Sequence, residues 1–500
     1  MAKRWVPISG GLLALLSVLF SSKSFASAQT QPVVVPTTAL PRELDESVRC
    51  TFYLSANGTG DGTFYRPARQ LPQPLPSGTY CLRGGEYDAR TLGRPRGVLR
   101  SVDIRAFGCE RVVVSGTSTI GEWMSIESGS RNVVIGRIEF VEFRNASTKD
   151  GVIVVAGDVE GVLIAENWFK SIGNDFFDHG VYLGGGFDDV TRVRNVIISG
   201  NRFFGVAGAG VHSFHRYGAR NVDVVGNIFS GGRWGVLVSH EGQSQWRVDD
   251  NILIGHTDGS VAFVENADLV QPYAGPMLVR RNIASADGLV GPLRIDKKLA
   301  DSGAAQMIFE EDGRWWNRKG PTVSSLAGGR IVLSGGLDQL PGLGASTTGQ
   351  QIDPRLESGP FSLTSIAPDL EGVRALRNGT CVPTVAPSVV ARVSGRGRSA
   401  RMEMTLTNLP SNLGAVEYRW FVNGVPRGTS SQPTFAFAFP RCLKPLGLRV
   451  EMSVPGVAPE TFEARGQVSG STCRLTVAAV APATSATATK AVVAVGGRQL

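Results

Sequence analysis

The chain has 500 residues, of which 42% are hydrophobic and 62 are glycine, proportions that suit a turn-rich all-β protein of more than one domain. Its formal charge of +8 is spread along the chain and not run together. In an exported protein that balance points to acidic polymers such as uronate-containing polysaccharides and away from nucleic acid.

The first residues carry Lys3 and Arg4, an apolar stretch from Leu12 to Phe20 and a small-residue site at Ala26-Ser27-Ala28. This is the pattern of a secretory signal peptide over residues 1–28, and the apolar run is short for an uncleaved anchor. No later stretch is apolar enough to span a bilayer, so the mature chain is expected to be secreted, periplasmic or at the cell surface, without stable membrane insertion. Residues 29–47 are rich in Pro and Thr and read as a flexible lead-in. Cysteines fall as Cys50, Cys81 and Cys109, then Cys381, Cys442 and Cys473. Export makes disulfides reasonable, with Cys50–Cys81 and Cys442–Cys473 the expected pairs, although spacing alone leaves the connectivity open. No paired CxxC spacing marks a zinc site.

The stretch CTFYLSANGTGDGTFYRPARQL (50–71), followed by PSGTYCLRGGEYDAR (76–90), resembles the opening of the pectate-lyase-like right-handed parallel β-helix superfamily. There a first strand of the form YVSxxGxDxxxGT leads to a segment ending in LxxGxY. QIDPRLESGPFSLTSIAPDLEG (351–372) looks like the last coil of such proteins, so the resemblance covers residues 48–375. It implies the fold more than an activity, because the superfamily includes lyases, hydrolases, epimerases and non-enzymatic adhesins.

Between these ends the segments GVLIAENWF (161–169), NVIISGNRF (195–203), NVDVVGNIF (221–229), WRVDDNIL (246–253) and MLVRRNIA (277–284) repeat one another. Each carries an asparagine near its end: Asn167, Asn201, Asn227, Asn251 and Asn282, spaced by 34, 26, 24 and 31 residues. A period in that range is the mark of stacked coils. Alternating aliphatic residues describe strands that cannot bury their apolar face alone, and stacking at about 4.8 Å supplies the core. The asparagines, tolerant of left-handed backbone angles, are expected to form a hydrogen-bonded ladder at one corner. Unequal spacings predict turns of unequal length on one side, where a cleft would be built.

A second strand of each coil opens with glycine: Gly151, Gly180, Gly210 and Gly235. Aligning these puts Val152, Val181, Val211 and Val236 toward the core. The next column, Ile153, Tyr182, His212 and Leu237, then points outward. Tyr182 and His212 become neighbours on adjacent coils. All five histidines, His179, His212, His215, His240 and His256, fall within 78 residues. One exposed face would display His179, Tyr182, His212, His215, Arg216, His240 and Glu241, with Asp175 and Asp178 on the turn leading in. Phe176, Phe177, Tyr217 and Trp234 beside it could stack on sugar rings.

Proton abstraction next to a carboxylate needs a base, an acid for the leaving oxygen and a cation for the developing enediolate. His179 or His212, Tyr182 and Arg216, with His215 adjoining, supply those types, which is the chemistry of a lyase acting on an acidic polysaccharide. Asp175, Asp178, Tyr217, Trp234, His240 and Glu241 would hold the substrate. Reprotonation from the opposite face would make a C5-epimerase, and a carboxylate pair from Asp175, Asp178 and Glu241 would suit a glycoside hydrolase. A non-catalytic protein that binds polysaccharide is the reading from another class. Ca²⁺ accompanies some members of the superfamily, and no acidic cluster in the sequence marks a site for it.

From Val382 the pattern changes to evenly spaced short strands. YRWFVNGV, a tryptophan before an Asn-Gly turn, looks like bacterial immunoglobulin-like modules and predicts a β-sandwich over 382–475. Residues 476–500, rich in Ala, Thr and Val, read as a disordered tail.

Overall fold

A computed structural model describes residues 44–45, 48–108, 110–116, 120–144, 151–184, 192–214, 218–239, 242–264, 277–286, 292–295, 307–309, 314–317 and 323–325. Toward the C-terminus it describes 388–394, 401–407, 409, 413–438, 446–455, 459–469 and 474–479. The expected signal segment, most of the lead-in, the last coil at 351–372 and residues 480–500 lie outside these residues, whereas Thr476–Ala479, expected to begin a disordered tail, complete the strand Arg474–Ala479 and pair with Glu460–Ser469. Among the described residues no helix is long and apolar enough to cross a membrane.

Strands from Phe52 to Ser325 stack in three sheets of ten, nine and nine strands, with parallel pairing between successive coils. The parallel β-solenoid expected from the repeat is therefore present. One coil runs through Glu160–Ala165 in the first sheet, Trp168–Ile172 in the second and His179–Gly184 in the third. The repeat suggests two strands per coil, but there are three. The additional one starts directly after the asparagine, so in sequence it merges with the segment before it.

Asn167, Asn201, Asn227, Asn251 and Asn282 are almost wholly buried at the corner between the first and second sheets. Each side-chain oxygen accepts from the backbone N–H one coil earlier: Asn201 Oδ1 from Asn167 N at 2.9 Å, Asn227 Oδ1 from Asn201 N at 2.8 Å, Asn251 Oδ1 from Asn227 N at 2.9 Å. Each Nδ2 donates to a strand carbonyl, as Asn227 does to Ile198 O at 2.8 Å. The ladder is as expected, but the left-handed residue is the one before it. Glu166, Gly200, Gly226, Asp250 and Arg281 have φ of 59°, 62°, 64°, 54° and 48°. That residue bends the chain at the corner, and the asparagine satisfies the backbone groups that the bend leaves unpaired.

Two residues after each of the first three asparagines comes a phenylalanine. Phe169, Phe203 and Phe229 stack inside the solenoid with centroids 4.7 and 4.6 Å apart and planes within 5°. These rings explain the glycine at the second position of the third-sheet strands His179–Gly184 and Ala209–Phe214. A Cβ on Gly210 would lie 2.4 Å from Phe229 Cδ1, so only glycine lets the strand pass over the ring.

Register in the third sheet differs at one coil from the glycine alignment. His179 pairs with Gly151, Val181 with Ile153 and Tyr182 with Val154, a slip of one residue. The core column is thus Ile153, Val181, Val211 and Val236, and the outward column is Val154, Tyr182, His212 and Leu237. Residues 152–155 are all apolar, so alternation gives no signal there, and a one-residue slip reverses every side chain. From Tyr182 onward the expected register holds, with Tyr182 opposite His212.

The outward face of the first sheet is closed. Leu163, Ile197, Asp223 and Arg247 point away from the core, yet each is at most 4% exposed. Leu44 packs on Leu163 and Ile197, and Asp45 O accepts from Arg105 Nη1 at 2.7 Å, so the end of the lead-in is docked along this sheet. A disulfide joins Cys50 to Cys81 as expected. Cys109, Cys381, Cys442 and Cys473 lie outside the described residues.

The C-terminal strands form two antiparallel sheets, of three strands and five. Their shared core holds Met402, Met404, Trp420, Val450 and Met452, and Trp420 Nε1 donates to Ser430 Oγ at 3.0 Å. Asn423 and Gly424 both have positive φ, 48° and 78°, as the two-residue hairpin turn requires. This is the expected β-sandwich around its tryptophan.

Candidate functional site

His179 opens a third-sheet strand and His212 lies on the next one, beyond Tyr182. The structure brings these three rings together, His179 and His212 at 4.3 Å between centroids and Tyr182 and His212 at 5.5 Å. The exposure that sequence alternation predicts is not found: His179 is 2% exposed and His212 is 8% exposed. Their rings are packed against each other and against Ala209 and Ser239 of neighbouring coils, which alternation along one strand does not register.

The hydrogen bonds decide the protonation. Ala209 N donates to His179 Nδ1 at 3.0 Å, so that nitrogen is an acceptor and the proton sits on Nε2. His179 Nε2 then donates to His212 Nδ1 at 2.8 Å, and His212 Nε2 to Ser239 Oγ at 2.9 Å. Ser239 Oγ completes the chain by donating to Ser213 O at 3.1 Å. Both rings are neutral. Burial, with His212 adding to it, holds the pKa of His179 well below 6.5, and burial alone pushes that of His212 down to about 3. Every ring nitrogen is engaged within the protein, so neither histidine offers a lone pair to a ligand in this arrangement. Tyr182 is half-buried and donates from its hydroxyl to Phe214 O at 3.1 Å.

His215, Arg216, Tyr217, His240 and Glu241 lie outside the described residues. The described chain on either side of them is held by Gln243, which is fully buried. Its Oε1 accepts from Ser213 Oγ at 3.0 Å and Ala219 N at 2.9 Å, and its Nε2 donates to Ser239 O at 3.0 Å. Gln243, Ser213 and Ser239 were not singled out from the sequence. The only signal for Ser213 and Ser239 was a small polar residue inside an otherwise apolar strand.

Asp178 is also buried and organises its own turn, accepting from the backbone N–H groups of Asn174 at 2.8 Å and Asp175 at 3.0 Å. The turn it shapes leaves Asp175 exposed and Phe176 40% exposed. It rests on the shorter turns of the next two coils. Gly208 N donates to Asp178 O at 2.9 Å, and Trp234 N donates to Gly208 O at 3.0 Å. A Cβ on Gly208 would meet Phe176 O and Asp178 O at 2.5 Å, so glycine there permits the stacking.

This stacked column holds a cation between aromatic rings. The Arg233 guanidinium lies 4.8 Å from the Phe176 centroid and 4.5 Å from that of Trp234, and it pairs with Asp258. Phe177 packs against Phe176. Trp234 is half-buried, and its buried Nε1 has no hydrogen-bond partner. Arg233 is a site residue that sequence reading missed, since its rings come from turns two coils apart. Among the described residues no three His, Cys, Asp or Glu side chains converge as metal ligands would.

Fold and site together define a parallel β-solenoid protein with a C-terminal β-sandwich and a surface cluster of aromatic and cationic side chains. No family model matches the chain, and no curated protein matches it. Among solved structures it is similar to PfbA, a surface adhesin of Streptococcus pneumoniae, at 12% identity and a TM-score of 0.29, over 53% of this chain and 86% of that one.

Proposed function

We propose that this is an exported protein that binds an acidic polysaccharide through the turn column carrying Asp175, Phe176, Arg233 and Trp234. The observation that carries this reading is Arg233 held between two rings on a backbone-bonded turn, with Phe176 open to solvent. Aromatic faces stack on the apolar faces of sugar rings, and a guanidinium attracts uronate carboxylates. Affinity electrophoresis of the full chain in alginate, polygalacturonate and neutral dextran gels tests it. Retardation by the uronate polymers, weakened by salt and by Phe176→Ala or Arg233→Ala, is expected; equal migration in all three gels refutes it.

β-Elimination is the second reading, favoured by Tyr182 lying directly opposite His212. Catalysis there needs a histidine nitrogen released from the chain that ends at Ser239. It predicts ultraviolet absorbance from unsaturated uronate product, lost in Tyr182→Phe; no such product from any acidic polymer would rule it out.

A further inference from the structure

The solenoid has three outward faces, and two are closed over several successive coils. Ile197 and Asp223 on the first and Val154, Leu237 and Ala262 on the third are at most 7% exposed. The second sheet is closed at Ile228, Ile252 and Ile254 but open at the coil that carries Trp168. Trp168 on it is 39% exposed, and Lys170, two residues along the same face, is exposed as well. Phe176, the other aromatic residue that stands out from the described solenoid to this degree, follows on the same coil.

Neighbouring strands complete the patch. Arg202 pairs in register with Trp168, and its guanidinium lies 4.8 Å from the indole centroid. Phe204 pairs in register with Lys170 and meets Trp168 edge-on at 6.2 Å. On the preceding strand Glu139 is paired with Arg111 at 2.8 Å, so its charge is already compensated. The face therefore combines two aromatic rings with the cations Lys170 and Arg202. A strand in a sheet paired on both sides holds these side chains with little freedom to lose on binding, which favours a ligand that stacks.

We propose that Trp168, Lys170, Arg202 and Phe204 form a second contact site for the acidic polysaccharide, with sugar rings stacked on the indole and carboxylates met by the two cations. This rests on the binding reading given above and extends it. Trp168 and Ile172 are four residues apart in one strand, about 13 Å, and the next turn carries Phe176. The ligand thus follows the strand direction across one coil, from Trp168 to the Phe176–Trp234 cluster. Single-stranded nucleic acid also stacks on aromatic residues beside cations; the export pattern of the first 28 residues favours the polysaccharide.

The test uses the full chain, titrated with size-defined uronate oligosaccharides of increasing length, with dextran oligosaccharides and single-stranded DNA as controls. Trp168→Ala is expected to weaken binding of the longer uronates about tenfold. Lys170→Glu is expected to weaken it similarly and to lower its salt dependence. Lys170 is exposed and its variant should keep the wild-type unfolding temperature, which separates loss of contact from loss of fold; Trp168→Ala gives up the packing on Arg202 and Phe204 and should lower that temperature slightly while unfolding remains cooperative. If both variants bind within about twofold of the wild type while Phe176→Ala abolishes binding, the second site is wrong and the first reading stands. If the wild type binds no uronate, both fall. Equal affinity for dextran or preference for DNA overturns the ligand class at this face.

Discussion

Asn227→Ala removes one rung of the corner ladder. Asn227 Oδ1 accepts from Asn201 N at 2.8 Å and from Asn201 Nδ2 at 3.0 Å, and its Nδ2 donates to Ile198 O at 2.8 Å and to Asn251 Oδ1 at 3.0 Å. Truncation leaves the Asn201 backbone N–H and the Ile198 carbonyl without these partners at a fully buried corner. Each such group costs about 1–3 kcal/mol, so a loss of about 3–5 kcal/mol follows. Urea unfolding, compared at unchanged slope, measures it, and hydrogen exchange at the Asn201 amide locates it. Asn221→Gly is the control. Asn221 has a left-handed φ of 55° that glycine accepts, and its Nδ2 donates at 2.7 Å to Asn195 Oδ1 on the half-exposed outer column. It should cost less than about 1 kcal/mol. Equal costs for the two variants, or less than about 1 kcal/mol for Asn227→Ala, would refute the corner ladder as a source of stability.

Three further outcomes are expected. His212 and His256 are buried neutral with pKa values pushed from 6.5 to about 3, so the unfolded chain binds protons that the folded chain refuses. Their contribution is complete above pH 6.5 and is lost as pH falls toward 3, by about 2 kcal/mol per histidine near pH 5; pH-independent unfolding across that window would contradict it, and His256→Gln should flatten the slope. Gly210→Ala drives a Cβ to 2.4 Å from a Phe229 ring that is locked in its stack, and should destabilise by about 3 kcal/mol or more; wild-type urea stability would show that the ring can move. Replacing Cys50 and Cys81 with serine opens a loop of 31 residues and should cost about 3–4 kcal/mol, read from thermal unfolding against oxidised wild type.

The stacked fold was legible because its signals are local and repeated. An asparagine at the corner of five successive coils, a phenylalanine two residues later in three of them and a glycine near the start of the third-sheet strand each answer a constraint that recurs from coil to coil. Legibility failed where local signals were silent. The all-apolar run 152–155 carries no alternation, so one strand slips by a residue, and the second-sheet strand hides against its corner. For the site, the sequence placed Tyr182 beside His212 but not their burial. Outward direction follows from alternation along one strand, whereas exposure depends on what neighbouring coils pack against it.

By itself the sequence determined the repeat, the corner ladder and the tryptophan-centred sandwich, since each rests on residue type at fixed spacing, whereas the Cys50–Cys81 pairing was fixed only by the fold. Tertiary structure decided which faces are open. His179 and His212 stayed on the outward side but were buried in a neutral hydrogen-bonded chain, while Arg233 came to lie between Phe176 and Trp234 from turns two coils apart. The physical reason is that burial and charge pairing are properties of neighbours brought together across 25 to 60 residues of chain, as Arg233 with Asp258 and Asp45 with Arg105 show, and no local pattern encodes them.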